Sequence, residues 1–119
     1  MLEDEKEAQM EEKISKTVAF LKDRLKEPPE IGMITGTGLG ALTERITADL
    51  RLPYEKIPHF PRSTVEGHKG TLVAGRVAGR SIIAMEGRFH LYEGYSPQEV
   101  TFPVRVMASL GVRYLLMSS

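Results

Sequence analysis

Apolar residues in the first 26 positions recur at spacings of three and four. Met10, Ile14, Val18, Leu21 and Leu25 form one stripe among charges, the period of an amphipathic helix over residues 3 to 26. Glutamates lead and lysines and arginines trail, which suits the helix dipole, and Pro28-Pro29 ends the element. Such a stripe either docks a partner or packs on its own domain; the second is the commoner use. Residues 31–35 then read as a short buried strand, Gly36-Thr37-Gly38-Leu39-Gly40 as a glycine turn, and residues 39–47 as a short helix. Residues 48–69 contain Pro53, Pro58, Pro61 and Gly67 and few apolar runs, and read as a long irregular segment.

Regular patterning resumes at Gly70. Residues 70 to 77 alternate as a strand, Ala78-Gly79 makes a turn, and residues 80 to 86 return as the partner strand of a hairpin. Ser96-Pro97-Gln98-Glu99 is a helix start, with Ser96 as cap, Pro97 at the first helical position and Glu99 completing a capping box. That helix runs to about Leu110, where Gly111 stops it, and Pro103 kinks it or falls in its first turns. Residues 113 to 117 form a last apolar strand of buried type. Strand, turn, helix, hairpin, helix and strand imply an α/β fold with a mixed sheet. Residues 1–27 form the N-terminal amphipathic helix and 28–119 an incomplete α/β domain. The sequence stops directly after the last strand, where open α/β sheets place ligand-binding residues, so it reads as the front part of a larger domain.

Length and composition narrow the functional classes. The 119 residues suffice for one core. The 16 basic residues balance the 16 acidic ones, which gives nucleic-acid binding little electrostatic support. Cysteine is absent, excluding disulfides, thiolate zinc sites and cysteine nucleophiles. No run approaches the ~18 apolar residues of a membrane span, and the charged N-terminus lacks a signal core, so a cytoplasmic location is expected.

Two stretches carry candidate chemistry. In Glu86-Gly87-Arg88-Phe89-His90-Leu91-Tyr92-Glu93-Gly94 a guanidinium, an imidazole and a phenol alternate. In extended backbone Arg88, His90 and Tyr92 would line one surface, suited to an anion beside a sugar-sized group. The bland reading pairs Arg88 with Glu86 or Glu93, satisfies His90 locally and places Tyr92 in the core. The second stretch is the strand, glycine turn and helix start near residues 31–47, whose free backbone N–H groups and helix dipole favour an anion, with the Thr37 hydroxyl as a further donor. A tight turn without a ligand is its bland alternative.

Other motifs fare less well. The same turn fits the loose dinucleotide pattern G-x-G-x-x-A, but residues 48–54 make a poor central second strand because of Pro53. A Walker loop is excluded because no Gly-Lys-Ser/Thr follows. His68, between Gly67 and Gly70, is either a surface loop residue or a group that closes over a ligand. A metal site from His68, His90 and Glu86 lacks ligand spacing and is set aside.

Four motifs together resemble the trimeric purine nucleoside phosphorylases. They are Gly36-Thr37-Gly38-Leu39-Gly40; the run from Ile57 to His68 (IPHFPRSTVEGH); Gly87-Arg88-Phe89-His90-Leu91-Tyr92-Glu93-Gly94-Tyr95; and Thr101-Phe102-Pro103-Val104-Arg105-Val106. Related methylthioadenosine phosphorylases share the fold but carry a different arginine motif. The resemblance covers residues 29–119 and implies a nucleoside phosphorylase fold, a homotrimer and a role in purine salvage. It implies phosphorolysis of purine ribo- or deoxyribonucleosides to free base and pentose 1-phosphate. Thr37, His68, Arg88 and His90 would bind phosphate, with His68, Arg88 and His90 as the catalytic groups, and Tyr92 would contact the ribose. No metal or organic cofactor is implied; phosphate is a co-substrate. The family's Asn-Ala-Ala-Gly stretch would begin at Ser119 and is absent, as are the purine-contacting residues, so this chain alone is expected to lack activity. A non-catalytic phosphate-binding or assembly module is the alternative.

Overall fold

A computed structural model describes residues 2–35, 44–60, 70–86 and 97–117. The elements in chain order are α1 (Leu2–Arg24), β1 (Ile31–Thr35), β2 (Thr47–Pro53), a 3-10 turn (Tyr54–Lys56), β3 (Thr71–Val77), β4 (Arg80–Glu86), α2 (Pro97–Leu110) and β5 (Tyr114–Met117). The five strands form one sheet in the order β2-β3-β4-β1-β5. β1 runs parallel to both its neighbours, β4 and β5, while β2-β3 and β3-β4 are antiparallel. The architecture is the mixed α/β sheet expected from the sequence.

Strand periodicity sorts the core onto the two faces of this sheet. Ile34, Leu72, Ala74, Ile83 and Met85 face the side on which α1 contributes Ile14, Val18 and Leu21 and α2 contributes Phe102, Val106, Met107 and Leu110. Their chain neighbours Met33, Val73, Ile82 and Ala84 face the other side with Ile46. The alternation expected for residues 70–77 is therefore not an in-out pattern. Leu72, Val73 and Ala74 are all buried because β3 is an interior strand covered on both faces.

The stripe on α1 packs on its own sheet. Glu3, Asp4 and Glu5 occupy its first turn and Lys22 and Arg24 its last, complementing the dipole. Thr17 is fully buried in this seam, its hydroxyl 2.9 Å from the Lys13 carbonyl and 2.7 Å from the Pro58 carbonyl. The second contact ties α1 to a segment 41 residues away. Arg105 of α2 reaches Glu7 of α1 at 2.6 Å, an exposed pair that adds little stability.

Three local expectations change. The helix placed at residues 39–47 is absent from its last four positions: Glu44 and Arg45 form a turn, Ile46 lies outside any helix and Thr47 opens β2. Its start lies outside the described residues, as does the Ser96 cap. The irregular segment assigned to 48–69 contains β2 and the 3-10 turn. Pro53 does not prevent a strand there because β2 is an edge strand and Pro53 is its last residue. Finally, β5 forms as expected, but Tyr114, Leu115, Leu116 and Met117 are all exposed. β5 is the outer strand of the sheet, with β1 beside it and no strand beyond it among the described residues.

Element ends follow their turn chemistry. Gly111 adopts φ 106°, and the amides of Gly111 and Val112 donate to Ala108 O at 3.1 Å and Met107 O at 3.2 Å. This is the paired bonding of a Schellman stop. Pro103 is fully buried in the middle of α2, past its first turn. The β3–β4 hairpin turns on two residues with positive φ, Ala78 at 52° and Gly79 at 79°, as a type I′ turn requires.

Two expectations test these local arguments. Ala78 holds a left-handed conformation that costs an alanine about 1 kcal/mol. Ala78→Asn should raise stability by roughly 0.5–1 kcal/mol, read as a shift in urea midpoint with an unchanged slope. Thr17→Val keeps the shape but removes the donor between two carbonyls. It should cost about 1–3 kcal/mol by the same measurement.

Candidate functional site at the strand ends

The register of the sheet brings the ends of all five strands to one edge. β2 ends there at Pro53, paired with Thr71, and the other four meet beside it. Thr35, the last residue of β1, pairs with Glu86, the last of β4. Met117, the last of β5, pairs with Ile34. β3 runs the opposite way, so its first residue, Thr71, pairs with Glu86. With strands about 4.8 Å apart, these four ends span about 15 Å across three gaps, the scale of a small ligand.

The chemistry-bearing segments attach at this edge. The glycine turn begins one residue after Thr35, the arginine-histidine-tyrosine stretch begins directly after Glu86, and His68 precedes Thr71 by three positions. Carboxyl ends of parallel strands are where open α/β sheets bind ligands. The side chains of Thr37, His68, Arg88, His90 and Tyr92 themselves lie outside the described residues.

What the described residues define is the frame under those segments. Tyr54, directly after β2, is 2% exposed. Its amide donates to the Gly70 carbonyl at 3.1 Å, extending the β2–β3 ladder by one bond. Its hydroxyl donates to the Glu86 carbonyl at 3.0 Å. The ring thus crosses β3 to reach β4, and it does so over Gly70, where any Cβ would collide with it. Glycine is needed there for close approach.

Two further aromatics continue the frame. The Tyr54 and Phe60 rings meet edge-on at 5.5 Å, and Phe60 meets Phe102 of α2 edge-on at 6.1 Å, both favourable aromatic geometries. Phe60 is turned inward by a reversal at Pro58-His59. The Phe60 amide donates to Ile57 O at 3.2 Å and His59 takes φ 64°, the signature of a type II turn with proline at its second position. The Pro58 carbonyl in this turn is the one Thr17 holds from α1.

Burial holds the Tyr54 phenol well above the ordinary tyrosine range, and the nearby Glu86 charge pushes it further. The phenol therefore stays protonated and keeps its donor at every pH near neutrality.

Sequence reading missed Tyr54 because residues 48–69 were read as irregular. The missed signal was alternation: Ala48, Leu50 and Leu52 are half-buried while Asp49 and Arg51 are exposed. The dinucleotide reading fails on topology. That motif needs a second strand beside and parallel to the first, whereas β3 and β4 both lie between β2 and β1. Among the described residues no helix is long and apolar enough to cross a membrane.

Comparison with known proteins agrees with this geometry. Residues 30–119 match the sequence model of the phosphorylase superfamily. The chain is 54% identical over 110 residues to purine nucleoside phosphorylase 1 of Bacillus subtilis, covering 92% of this chain and 41% of that protein. It is 47% identical over 108 residues to the rat purine nucleoside phosphorylase, covering 91% and 37%. Among solved structures, a Schistosoma mansoni purine nucleoside phosphorylase with acetate superimposes with a TM-score of 0.84 at 44% identity, over 91% of this chain and 40% of that one. Isoform 2 of the same organism's enzyme, bound to cytosine and ribose-1-phosphate, gives 0.82 at 51% identity over 89% and 37%. The chain spans about two fifths of the length of these relatives.

The buried phenol yields an expectation about pH. Its folded pKa lies above the unfolded value of about 10, so the stability it carries is complete below pH ~10 and is lost as pH rises past it. Each unit above pH 10 should remove about 1.4 kcal/mol through Tyr54. Denaturant midpoints between pH 9 and 11 should fall steeply for the native chain and distinctly less for Tyr54→Phe.

Proposed function

The chain belongs to the phosphorylase superfamily, and we propose that its protein catalyses phosphorolysis of purine ribo- and deoxyribonucleosides. The observation that carries this reading is the shared edge of Thr71, Glu86, Thr35 and Met117, from which the anion-seeking segments continue. Purine nucleoside phosphorylases of B. subtilis and rat, at 54% and 47% identity, supply the substrate class. A Schistosoma homologue of 42% identity was solved with inosine.

In this reading the chain supplies most of the phosphate site and one wall of the ribose site. Thr37, His68, Arg88 and His90 hold phosphate, and Tyr92 packs on the ribose. Arg88 offers a planar pair of donors that fixes two phosphate oxygens, and the glycine turn adds backbone N–H groups. Binding phosphate in line with the anomeric carbon removes much of the entropic barrier. One phosphate oxygen then bonds to that carbon as its bond to the purine nitrogen breaks. The electron pair leaves with the base, which takes up a proton. Charge builds on the sugar in an oxocarbenium-like transition state, and the phosphate dianion stabilises it. His68 donates a hydrogen bond or proton to the phosphate. The reaction calls for no metal or organic cofactor. Purine salvage in the cytoplasm and assembly as a homotrimer complete the proposal.

Two measurements test it. The chain by itself should bind inorganic phosphate saturably yet release no hypoxanthine from inosine; turnover at the level of a complete phosphorylase would show that the base-binding residues lie within these 119 positions. Arg88→Ala should weaken phosphate binding by roughly 1.5–3 kcal/mol, the worth of a hydrogen bond to a charged group. An unchanged phosphate affinity in calorimetric titration would remove Arg88 from the site.

A further inference from the structure

The two outer strands of the sheet, β2 and β5, are built differently. β2 exposes Asp49 and Arg51, shifts register between Ala48 and Leu50, and ends in Pro53. Charge, bulge and proline keep an edge strand from pairing with another chain. β5 has none of them. Tyr114, Leu115, Leu116 and Met117 are uncharged and apolar, 57%, 38%, 47% and 63% exposed, and their register with β1 is unbroken.

The backbone of β5 fixes which of its groups stay open. The Tyr114 amide donates to the Glu30 carbonyl at 3.3 Å, the bond expected where Tyr114 pairs with Ile31 in parallel. Successive residues of a strand turn their N–H and C=O to opposite sides. Tyr114 and Leu116 therefore bond β1, and Leu115 and Met117 turn both groups to the outer side. In antiparallel pairing, residues with outward groups must face each other. A second β5 running the other way meets this condition when Leu115 faces Met117 of the second copy and Leu116 faces its own counterpart on a two-fold axis. Each Leu115–Met117 pair then exchanges both N–H···O bonds. The side chains agree with the backbone. Leucine meets methionine on one sheet face, and leucine meets leucine on the other with Tyr114 at the diagonal positions.

β5 is thus complementary to itself, and a formal net charge of zero leaves two copies without long-range repulsion. The contact is small, four residues a side against roughly 20–30 in a standard interface, so it is weak. The guarded β2 edge stops further growth, which gives a closed pair and not a fibre.

We propose that the 119-residue chain forms a two-fold dimer in which two β5 strands pair antiparallel and join two five-stranded sheets into one. This contact does not rest on the proposed activity. It also differs from a three-fold assembly, whose axis cannot pair a strand with its own counterpart.

Sedimentation velocity of the chain from about 1 to about 500 µM should pass from monomer to dimer and stop there, with a micromolar dissociation constant. Leu116→Lys sets two like charges directly opposite each other and should weaken the dimer at least about tenfold. Met117→Pro removes an amide that points away from β1, and one bond of each pair with it, and should act in the same direction. Leu2→Lys replaces an apolar side chain on α1 that is 73% exposed and should leave association unchanged. Circular dichroism and urea midpoints establish that each variant is folded. In the native chain, the Leu115 and Met117 amides should exchange at least about threefold more slowly at the high concentration than at the low one, while the amides of β2 do not respond. A chain that stays monomeric, association that Leu116→Lys leaves intact, or exchange at Leu115 and Met117 that ignores concentration overturns the proposal. Species that keep growing past the dimer overturn it as well, because the contact would then not be two-fold.

Discussion

The structure depends on β1 being paired in parallel on both sides. Parallel pairing forces the chain to return to the same end of the sheet before each strand, and between β4 and β5 that return is α2. The consequence is that β1, β4 and β5 all deliver their carboxyl ends to one edge. β3, which runs the other way from β4, delivers its start there. A fold of this kind concentrates loops at one end without any loop having to travel. The apolar residues in β1, β3 and β4 then have a second duty. They hold Met33, Ile34, Leu72, Val73, Ile83 and Ala84 in fixed register, and register decides which residues sit next to each other at the edge.

Much of this was legible from residue pattern. The α1 stripe, the hairpin with its Ala78-Gly79 turn, the Gly111 stop and the β5 run each rest on local chemistry that the structure repeats. The failures share one cause, which is that strand burial is a property of the neighbours. β3 looks half-exposed by pattern but is covered on both faces because it lies inside the sheet. β5 looks buried by pattern but is exposed because it lies at the outer edge among the described residues. Pro53 argued against a strand at 47–53, yet it is the last residue of an edge strand, where its missing donor costs least. No single-residue propensity carries that information.

The candidate site was legible in the complementary way. The residues proposed to face a ligand are read from spacing and resemblance, since guanidinium, imidazole and phenol alternate there, and they lie outside the described residues. Its supports were not. Tyr54 meets Gly70 and Glu86 across 16 and 32 positions of chain, and nothing in a window around Leu52-Pro53-Tyr54-Glu55 marks a contact that distant. A site therefore splits into parts that a sequence displays and parts that only a fold assembles, and the second kind fixes distances.

Distances matter here because the proposed chemistry is mostly positioning. An oxyanion held by groups from separate segments is bound well only if those segments keep their spacing, and a misplacement of 1 Å can cost about 100-fold in rate. What the described residues can contribute to that spacing lies at the points where those segments begin and end. Thr17 on Pro58, the Pro58-His59 reversal, Phe60 between Tyr54 and Phe102, and the Tyr54 hydroxyl on Glu86 form one continuous set of contacts from α1 to β4. Thr17, Tyr54, Phe60 and Phe102 in it are buried, so the bonds they make are worth more than exposed ones and more costly to leave unmade. The exposed ion pairs at Glu7, Glu27 and Glu30 lie outside this set, and screening by solvent keeps them from fixing anything with comparable precision.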